Sequence, residues 1–509
     1  MDMRVNRGAR ARLKPLAVCL ALALGVATGL GIVAPNAEAS DAAGPWQSFS
    51  RTKKTPSGRS ITRADRVAMR GAASPASKPP ARPSGGASVP VTNCNDEGAG
   101  SLRDAVENIA VSGDTVDMAG LNCSTITLIS GAITTTEDDL TIVGPGTDMN
   151  GVTILAGHNS QIFAHLGSGT LTLEYLTVTS GGKYATGDSS ALGGCVFSYG
   201  EVYLRDTGVK YCVAQTQGEG PARGGGVYAT RGIAAVSSTI SGNAVRGDRG
   251  FPTGGGLYTP GSLFMSYSWI HSNEATQATS QGVVFGSGGG VRIAGDVTML
   301  NSTLSGNTAA AIAGAALTGV NASSNLEITN TTICDNYSYD TLNGSGLSVG
   351  SPIIISNSTI TGNVAFNAIH ITSGAGLYLD EDAAATLQST IISGNSLYDG
   401  TTVVPDDIGH SLYGGALIGG ANNLVGHSTL PLSLDTVVTS DPGLGPLTTA
   451  NGGPTPTKTP LRDSLAINHG NNVGDSPYDE RGPGFPRVIG SSADIGAVES
   501  DVIFSNGFD

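Results

Sequence analysis

Two short signals alternate along this chain, and their spacing constrains the fold more than any other feature. One is a glycine pair or triplet followed by an apolar residue. It is strict at Gly224-Gly225-Gly226-Val227-Tyr228, Gly254-Gly255-Gly256-Leu257-Tyr258 and Gly288-Gly289-Gly290-Val291. It is looser at Gly314-Ala315-Ala316-Leu317, Gly344-Ser345-Gly346-Leu347 and Gly374-Ala375-Gly376-Leu377-Tyr378. The other signal reads S-T-I-S-G-N and ends at Asn243, Asn273, Asn307, Asn336, Asn363 and Asn395. From Gly226 to Asn243 the step is 17 residues, as it is from Gly256 to Asn273, Gly290 to Asn307 and Gly346 to Asn363. From Ala316 to Asn336 it is 20, and from Gly376 to Asn395 it is 19. The return is not fixed: ten residues follow Asn243, 14 follow Asn273 and six follow Asn307 before the next glycine signal. One half of each repeat is a constrained path and the other a loop of free length.

The constrained half carries short β-branched runs such as Val236-Ser237-Ser238-Thr239-Ile240 and Ile353 to Ile360, not the i, i+3, i+4 apolar spacing of a helix. Three short strands per turn, separated by glycine and asparagine corners, make an all-β fold, the right-handed parallel β-helix. Asn tolerates the left-handed backbone of a tight corner, and stacked Asn amides can bond into a ladder. Gly181 and Cys212 take the Asn position in two earlier turns, and strands before residue 160 add two or three more. The rod would be roughly 50 Å long at about 4.8 Å per turn. The register also predicts a disulfide. Cys195 stands at the third glycine position and Cys212 lies 17 residues on, at the Asn position. A second pair is expected between Cys94 and Cys123, with Cys334 left as a buried thiol. Ser101-Leu102-Arg103-Asp104 reads as a capping box. Leu102, Ala105, Val106 and Ile109 follow at helical spacing, so a short amphipathic helix should cover the first coil.

The flanks differ in kind. Residues 1–39 have a basic start (Arg4, Arg7, Arg10, Arg12, Lys14), an apolar run from Leu16 to Val33 and Ala37-Glu38-Ala39, the pattern of a Sec signal peptide. A secreted or cell-surface location follows, with no integral membrane segment once the signal is cleaved, and an oxidising compartment suits the disulfides. Residues 40–90 are Ser-, Pro- and Ala-rich without an apolar period, a basic, disordered linker. The β-helix is expected over 91–440, an extended, proline-rich cap over 441–500 and a short tail over 501–509. Of 27 Lys and Arg, five lie in the first 39 residues and nine in the linker, leaving 13 against 37 acids, so the segment from Val91 carries about −24. No Lys or Arg occurs between Arg292 and Lys458. Nucleic acid is not a partner for such a body, because phosphate binding needs clustered cations.

The C-terminal motifs resemble a known family. Asp441-Pro442-Gly443-Leu444-Gly445-Pro446-Leu447, Asn451-Gly452-Gly453-Pro454-Thr455-Pro456-Thr457, Asp463 to Gly470, Asp479-Glu480-Arg481-Gly482 and Ala493-Asp494-Ile495-Gly496-Ala497-Val498-Glu499 occur in that order. Together with Gly98 to Ala105 and Gly113-Asp114-Thr115-Val116, they resemble the choice-of-anchor Q domain of exported bacterial β-helix proteins. The glycine and Asn signals also resemble the repeats of polymorphic outer-membrane proteins. The resemblance implies export, and an adhesive role.

The same fold hosts polysaccharide lyases and hydrolases, so chemistry must be weighed. A calcium-dependent lyase needs an acidic cluster and an Arg or Lys base. The cation-free stretch leaves Arg205, Lys210, Arg223, Arg231, Arg246, Arg249 and Arg292. Arg246, Asp248 and Arg249 share one loop and could engage a uronate, although a salt-bridged loop is the plainer reading. Asp406-Asp407, with His410 near, has the residue types of a hydrolase pair, but neighbours on a strand face opposite ways. Asp380-Glu381-Asp382 is the one run that could take calcium, and an exposed acidic turn explains it as well. No other cofactor and no metal site is expected, since His158, His165, His271 and His427 are scattered. What remains is binding of extracellular carbohydrate or a surface protein. The candidates are the variable loops on one side of the solenoid, with Arg246, Asp248, Arg249, Phe251, Tyr337, Tyr339, Phe366 and Tyr398.

Overall fold

A computed structural model describes residues 86–157, 160–248, 250–277, 286–319, 324–339, 343–366, 374–380, 382–412 and 414–500. The expected signal peptide, most of the expected linker, His158, Arg249, Glu381 and residues 501–509 lie outside the described residues.

The chain winds as a right-handed parallel β-helix. Sheet A has twelve strands, from Ser88–Pro90 to Leu417–Ala421. Sheet B has twelve, from Thr125–Leu128 to Val437–Val438, and sheet C ten, from Ile133–Thr135 to Ile408–His410. The first strand of sheet A thus falls just before Val91. Twelve stacked strands span about 53 Å.

A fourth sheet corrects the three-strand turn. Sheet D runs from Gly182–Thr186 to Ser396–Tyr398 and directly follows the ladder position, inside the half of the repeat read as free loop. Successive elements therefore run A, B, D, C. Sheet D was hidden because each of its strands buries little. Ala214, Val245, Ala275, Ala365 and Leu397 point inward into small satellite clusters, apart from the main core. The main core shows the stronger signal. On sheet B, Ile126, Ile154, Val178, Val209, Ile240, Ile270, Leu304, Ile333 and Ile360 stack inward with no exposure. Each such side chain contributes about 1.5–3 kcal/mol of hydrophobic stabilisation.

The corners divide the work expected of asparagine. The ladder residues are not left-handed; the residue before each is, as at Gly242 (φ 64°), Ser272 (54°) and Asp335 (58°). Left-handed asparagines occur instead at the A–B corner, at Asn301, Asn330 and Asn357. At the D–C corner Gly254 has φ 72°, and a Cβ on Gly255 would collide with the Gly289 carbonyl of the next turn. One position needs the backbone, the other the space.

Both expected cysteine pairs form. Cys195 and Cys212 lie 5.4 Å apart at Cα, Cys94 and Cys123 6.5 Å, and Cys334 is a free, buried thiol. At the N-terminus the Ser101 hydroxyl accepts from the Asp104 amide, but the Asp104 carboxylate accepts from Gly100, one residue earlier than a reciprocal box requires. The helix is α only over Leu102–Asp104 and continues as a π turn over Ala105–Ile109. Leu102, Ala105 and Val106 are buried as expected, whereas the wider winding leaves Ile109 53% exposed.

Residues 439–500 do not close the end of the rod. Leu430 and Leu432 pack against the last coil of the core, and the chain then folds back along the outer face of sheet B. Ser393 donates to Thr439 O, Thr359 accepts from the Ala497 amide, and Asn301 donates to Asp479 O. This strap buries Ile391 and Leu424 against Ala466 and Ile495.

Candidate functional site

The ladder is a continuous chain of side-chain amides. Asn243 Nδ2 donates to Asn273 Oδ1 at 2.9 Å, Asn273 to Asn307 at 3.0 Å, Asn307 to Asn336 at 2.9 Å, Asn336 to Asn363 at 2.8 Å and Asn363 to Asn395 at 2.8 Å. Each Nδ2 also donates to a carbonyl of the preceding turn, such as Ile240 O for Asn273. Each Oδ1 takes a second bond from the ladder residue below, at its backbone amide. Cys212 enters the column at the Asn position, donating its amide to Asn243 Oδ1 at 3.0 Å. A parallel column of hydroxyls runs along the A–B corner (Ser238, Ser268, Ser302). Each accepts the amide of the turn below and donates to a carbonyl two residues back.

The carboxylate pair belongs to this architecture. Asp407 Oδ1 accepts both the amide (2.8 Å) and Nδ2 (2.7 Å) of Asn395, and Oδ2 accepts the His427 amide at 2.8 Å. Burial pushes its carboxyl up to about 6 against the bonds that favour the charge, with Asp406 adding repulsion. Asp406 is itself 2% exposed. Asp407 thus terminates the ladder, with Asp406 buried beside it.

Arg246 lies on the sheet D strand Ala244–Gly247, 3.8 Å from Glu274 of the next turn, both side chains partly exposed. Asp248 follows that strand, and Phe251 is exposed in the connection to sheet C. Arg246 and Asp407 lie five turns apart along the solenoid, so the low-ranked catalytic candidates do not meet. Among the described residues no three His, Cys, Asp or Glu side chains converge as a metal site. No described helix is long and apolar enough to cross a membrane.

The aromatic candidates do gather. Tyr337–Tyr339, Val364–Phe366 and Ser396–Tyr398 are successive strands of sheet D, not loops. Tyr337 and Tyr339 point outward on either side of the inward Ser338, with ring centres 4.4 Å apart. Phe366 and Tyr398 pair across turns at 5.4 Å. The antiparallel strand Val403–Pro405 extends this face with exposed Val403, which stands opposite Tyr398. Toward the N-terminus the same face carries Tyr184, Gln215 and Arg246 in register, with Glu274 beside Arg246.

Two constellations escaped sequence reading. One is the buried polar cluster of the strap. Arg481 grips Asp479 with Nη2 at 2.7 Å from Oδ2, both fully buried. Glu480 meets the Thr303 and Thr332 hydroxyls of sheet B, and burial raises its carboxyl far above the usual range. Burial likewise lifts Glu499 to about 7. The other lies on sheet C, where Tyr258 has Arg223 and Arg292 as neighbours. Its signal was available: both Tyr258 and Arg292 stand two residues after the third glycine of their turns.

The family model described as right handed beta helix region matches residues 146–384. This chain is a β-helix repeat protein. No curated protein and no solved structure matched it. In this β-helix protein the matched span holds the ladder from Asn243 to Asn363 and the sheet D strands as far as Phe366, so the repeat and the aromatic face are largely one feature.

Proposed function

We propose that this protein is an exported, surface-exposed binding scaffold that engages extracellular carbohydrate or a surface protein through the aromatic outer face of sheet D. The observation that carries the reading is the run of Tyr337, Tyr339, Phe366 and Tyr398 on three successive turns, continued by exposed Val403. Outward aromatics on a rigid sheet offer large contact area at low entropic cost, suited to sugar faces or apolar protein patches. Two disulfides fit an oxidising compartment, and the choice-of-anchor Q-like motifs argue for export. The lyase or hydrolase alternative loses support, because Asp407 has a structural role and Arg246 a surface partner.

The test is a glycan and surface-protein array probed with the chain from Ser40 onward and with a Tyr339→Ser, Phe366→Ser, Tyr398→Ser variant. The reading expects binding that falls at least tenfold in the variant. Unchanged binding would overturn the assignment to sheet D, and turnover of polysaccharide to unsaturated or reducing ends would overturn the scaffold reading.

A further inference from the structure

The outer face of sheet C carries a column set by the glycine signal. Phe197, Tyr228, Tyr258, Arg292 and Thr318 stand side by side on five successive turns. The three rings stack: Phe197 on Tyr228 at 5.6 Å and 11°, Tyr228 on Tyr258 at 5.4 Å and 4°. Tyr199, 55% exposed, meets Phe197 edge-on at 4.8 Å. On the other side Arg292 follows Tyr258 in the column and donates Nη1 to Ser287 Oγ at 3.0 Å. Arg223, from the strand Ala222–Arg223, places its guanidinium carbon 5.1 Å from the Tyr258 ring centre.

The charge balance here is unusual. The body carries 37 acids against 13 bases, yet neither arginine forms an ion pair with a carboxylate among the described residues. The segment 278–285, which precedes this turn, contains no acid in its sequence. Burial depresses Arg292 to about 10, and Arg223 adds repulsion against the favourable influence of Tyr258, so Arg292 remains a cation at neutral pH. Two guanidinium groups held beside one ring, partly out of water and without a counter-charge, are costly unless an anion completes them. Arginine presents a planar fork that bonds an oxyanion bidentately, which a lysine cannot match.

We infer that Arg223, Arg292 and Tyr258 form an oxyanion subsite for an acidic polysaccharide, taking the carboxylate or sulfate of one sugar unit. The stacked rings run along the rod from the arginines towards exposed Tyr199, which sets the direction of the rest of the chain. Nucleic acid is the poorer fit, because two cations cannot follow a phosphate backbone. The inference goes beyond the sheet D reading and does not depend on it.

Affinity electrophoresis of the chain from Ser40 onward separates the outcomes, with polygalacturonate, dextran sulfate, neutral dextran and single-stranded DNA as probes. Retardation by the carboxylated or the sulfated polymer, but not by neutral dextran, is expected, and the stronger of the two names the oxyanion. Arg223→Gln and Arg292→Gln should each weaken it at least tenfold. Lys183→Gln on sheet D, a cation outside both faces, should leave it unchanged, and loss in the arginine variants with the sheet D aromatics intact keeps the two readings distinguishable. Arg223 is partly exposed, so its variant decides the matter if Arg292→Gln fails to fold. Equal retardation by dextran, stronger binding of DNA, no binding to any polymer, or full binding by Arg223→Gln would each overturn the subsite.

Discussion

Asn395 donates its side-chain amide to Asp407 Oδ1 at 2.7 Å, and with this bond a six-residue asparagine ladder ends on a carboxylate. The ladder needs a terminal acceptor that also satisfies the Asn395 backbone amide and the His427 amide. A carboxylate offers acceptors only, which suits the end of the column and no other place in it.

Asp407 should therefore behave as a structural acid. Its folded value of about 6 lies above the ordinary 3.8. The stabilisation tied to its proton is fully present below about pH 4 and lost as pH rises through about 6, an effect of about 3 kcal/mol at most. Asp407→Ala leaves three buried N–H donors unmatched and should cost about 3–5 kcal/mol. The difference from wild type should be larger at pH 4 than at pH 7, read from denaturant midpoints at both values. An unchanged midpoint would show that the ladder does not depend on its terminus.

Within the ladder the same chemistry predicts the opposite tolerance. Asn307 Nδ2 donates to Ile270 O and Asn336 Oδ1, while its Oδ1 accepts from Asn273 twice. Asn307→Asp replaces a donor by an acceptor facing two oxygens and adds a buried charge, so it should destabilise more than Asn307→Ala. The alanine variant should lose about 3–5 kcal/mol for its orphaned groups. Thermal unfolding monitored by circular dichroism ranks the pair, and an equal loss would deny the ladder its direction.

The disulfide Cys195–Cys212 joins two positions of one turn, 17 residues apart. Closing a loop of that length restricts the unfolded chain by about 3 kcal/mol. Replacing both cysteines by Ser should lower stability by that amount or less, checked by denaturation with and without reductant. Reductant should have little further effect on the variant beyond that of the Cys94–Cys123 pair.

What was legible in the sequence follows from repetition. Asn243 to Asn395 recur in register, as do the inward residues of sheets A to C, so each turn reports the others. Sheet D repeats too, but Ala214 and Ala275 are too small to mark a strand. Ile109 was misplaced because a π turn breaks the helical period. The strap was invisible for another reason: Glu480 meets Thr303 across 177 residues, and a single contact at that separation leaves no period. Its motifs were seen as a set, while the face they bind was not.

That contact has a consequence for pH. The Thr303 hydroxyl lies 2.8 Å from Pro456 O, a pure acceptor, and 3.0 Å from Glu480 Oε1. The Thr303 and Thr332 hydroxyls donate to the carboxyl and favour its charged form, but burial outweighs them and raises it. Glu480 faces Asp479 on its own segment, and beneath it Cys334 and Asp335 on sheet B, with Lys458 bound to Asp335 at 3.1 Å. A raised carboxyl stabilises docking below its ordinary 4.5 and loses that contribution as pH rises through the folded value. The strap should loosen in alkali, and Cys334 reports it. Ile333 fills the core, so Cys334 faces outward on sheet B, yet it is fully buried. Labelling by a neutral alkylating reagent should be slow in native protein and accelerate with pH more steeply than in Glu480→Gln, whose amide keeps both contacts without a charge. Glu480 also raises the thiol itself, so the rates are compared after division by each protein's thiolate fraction. Identical profiles would show that Glu480 ionisation does not govern the strap.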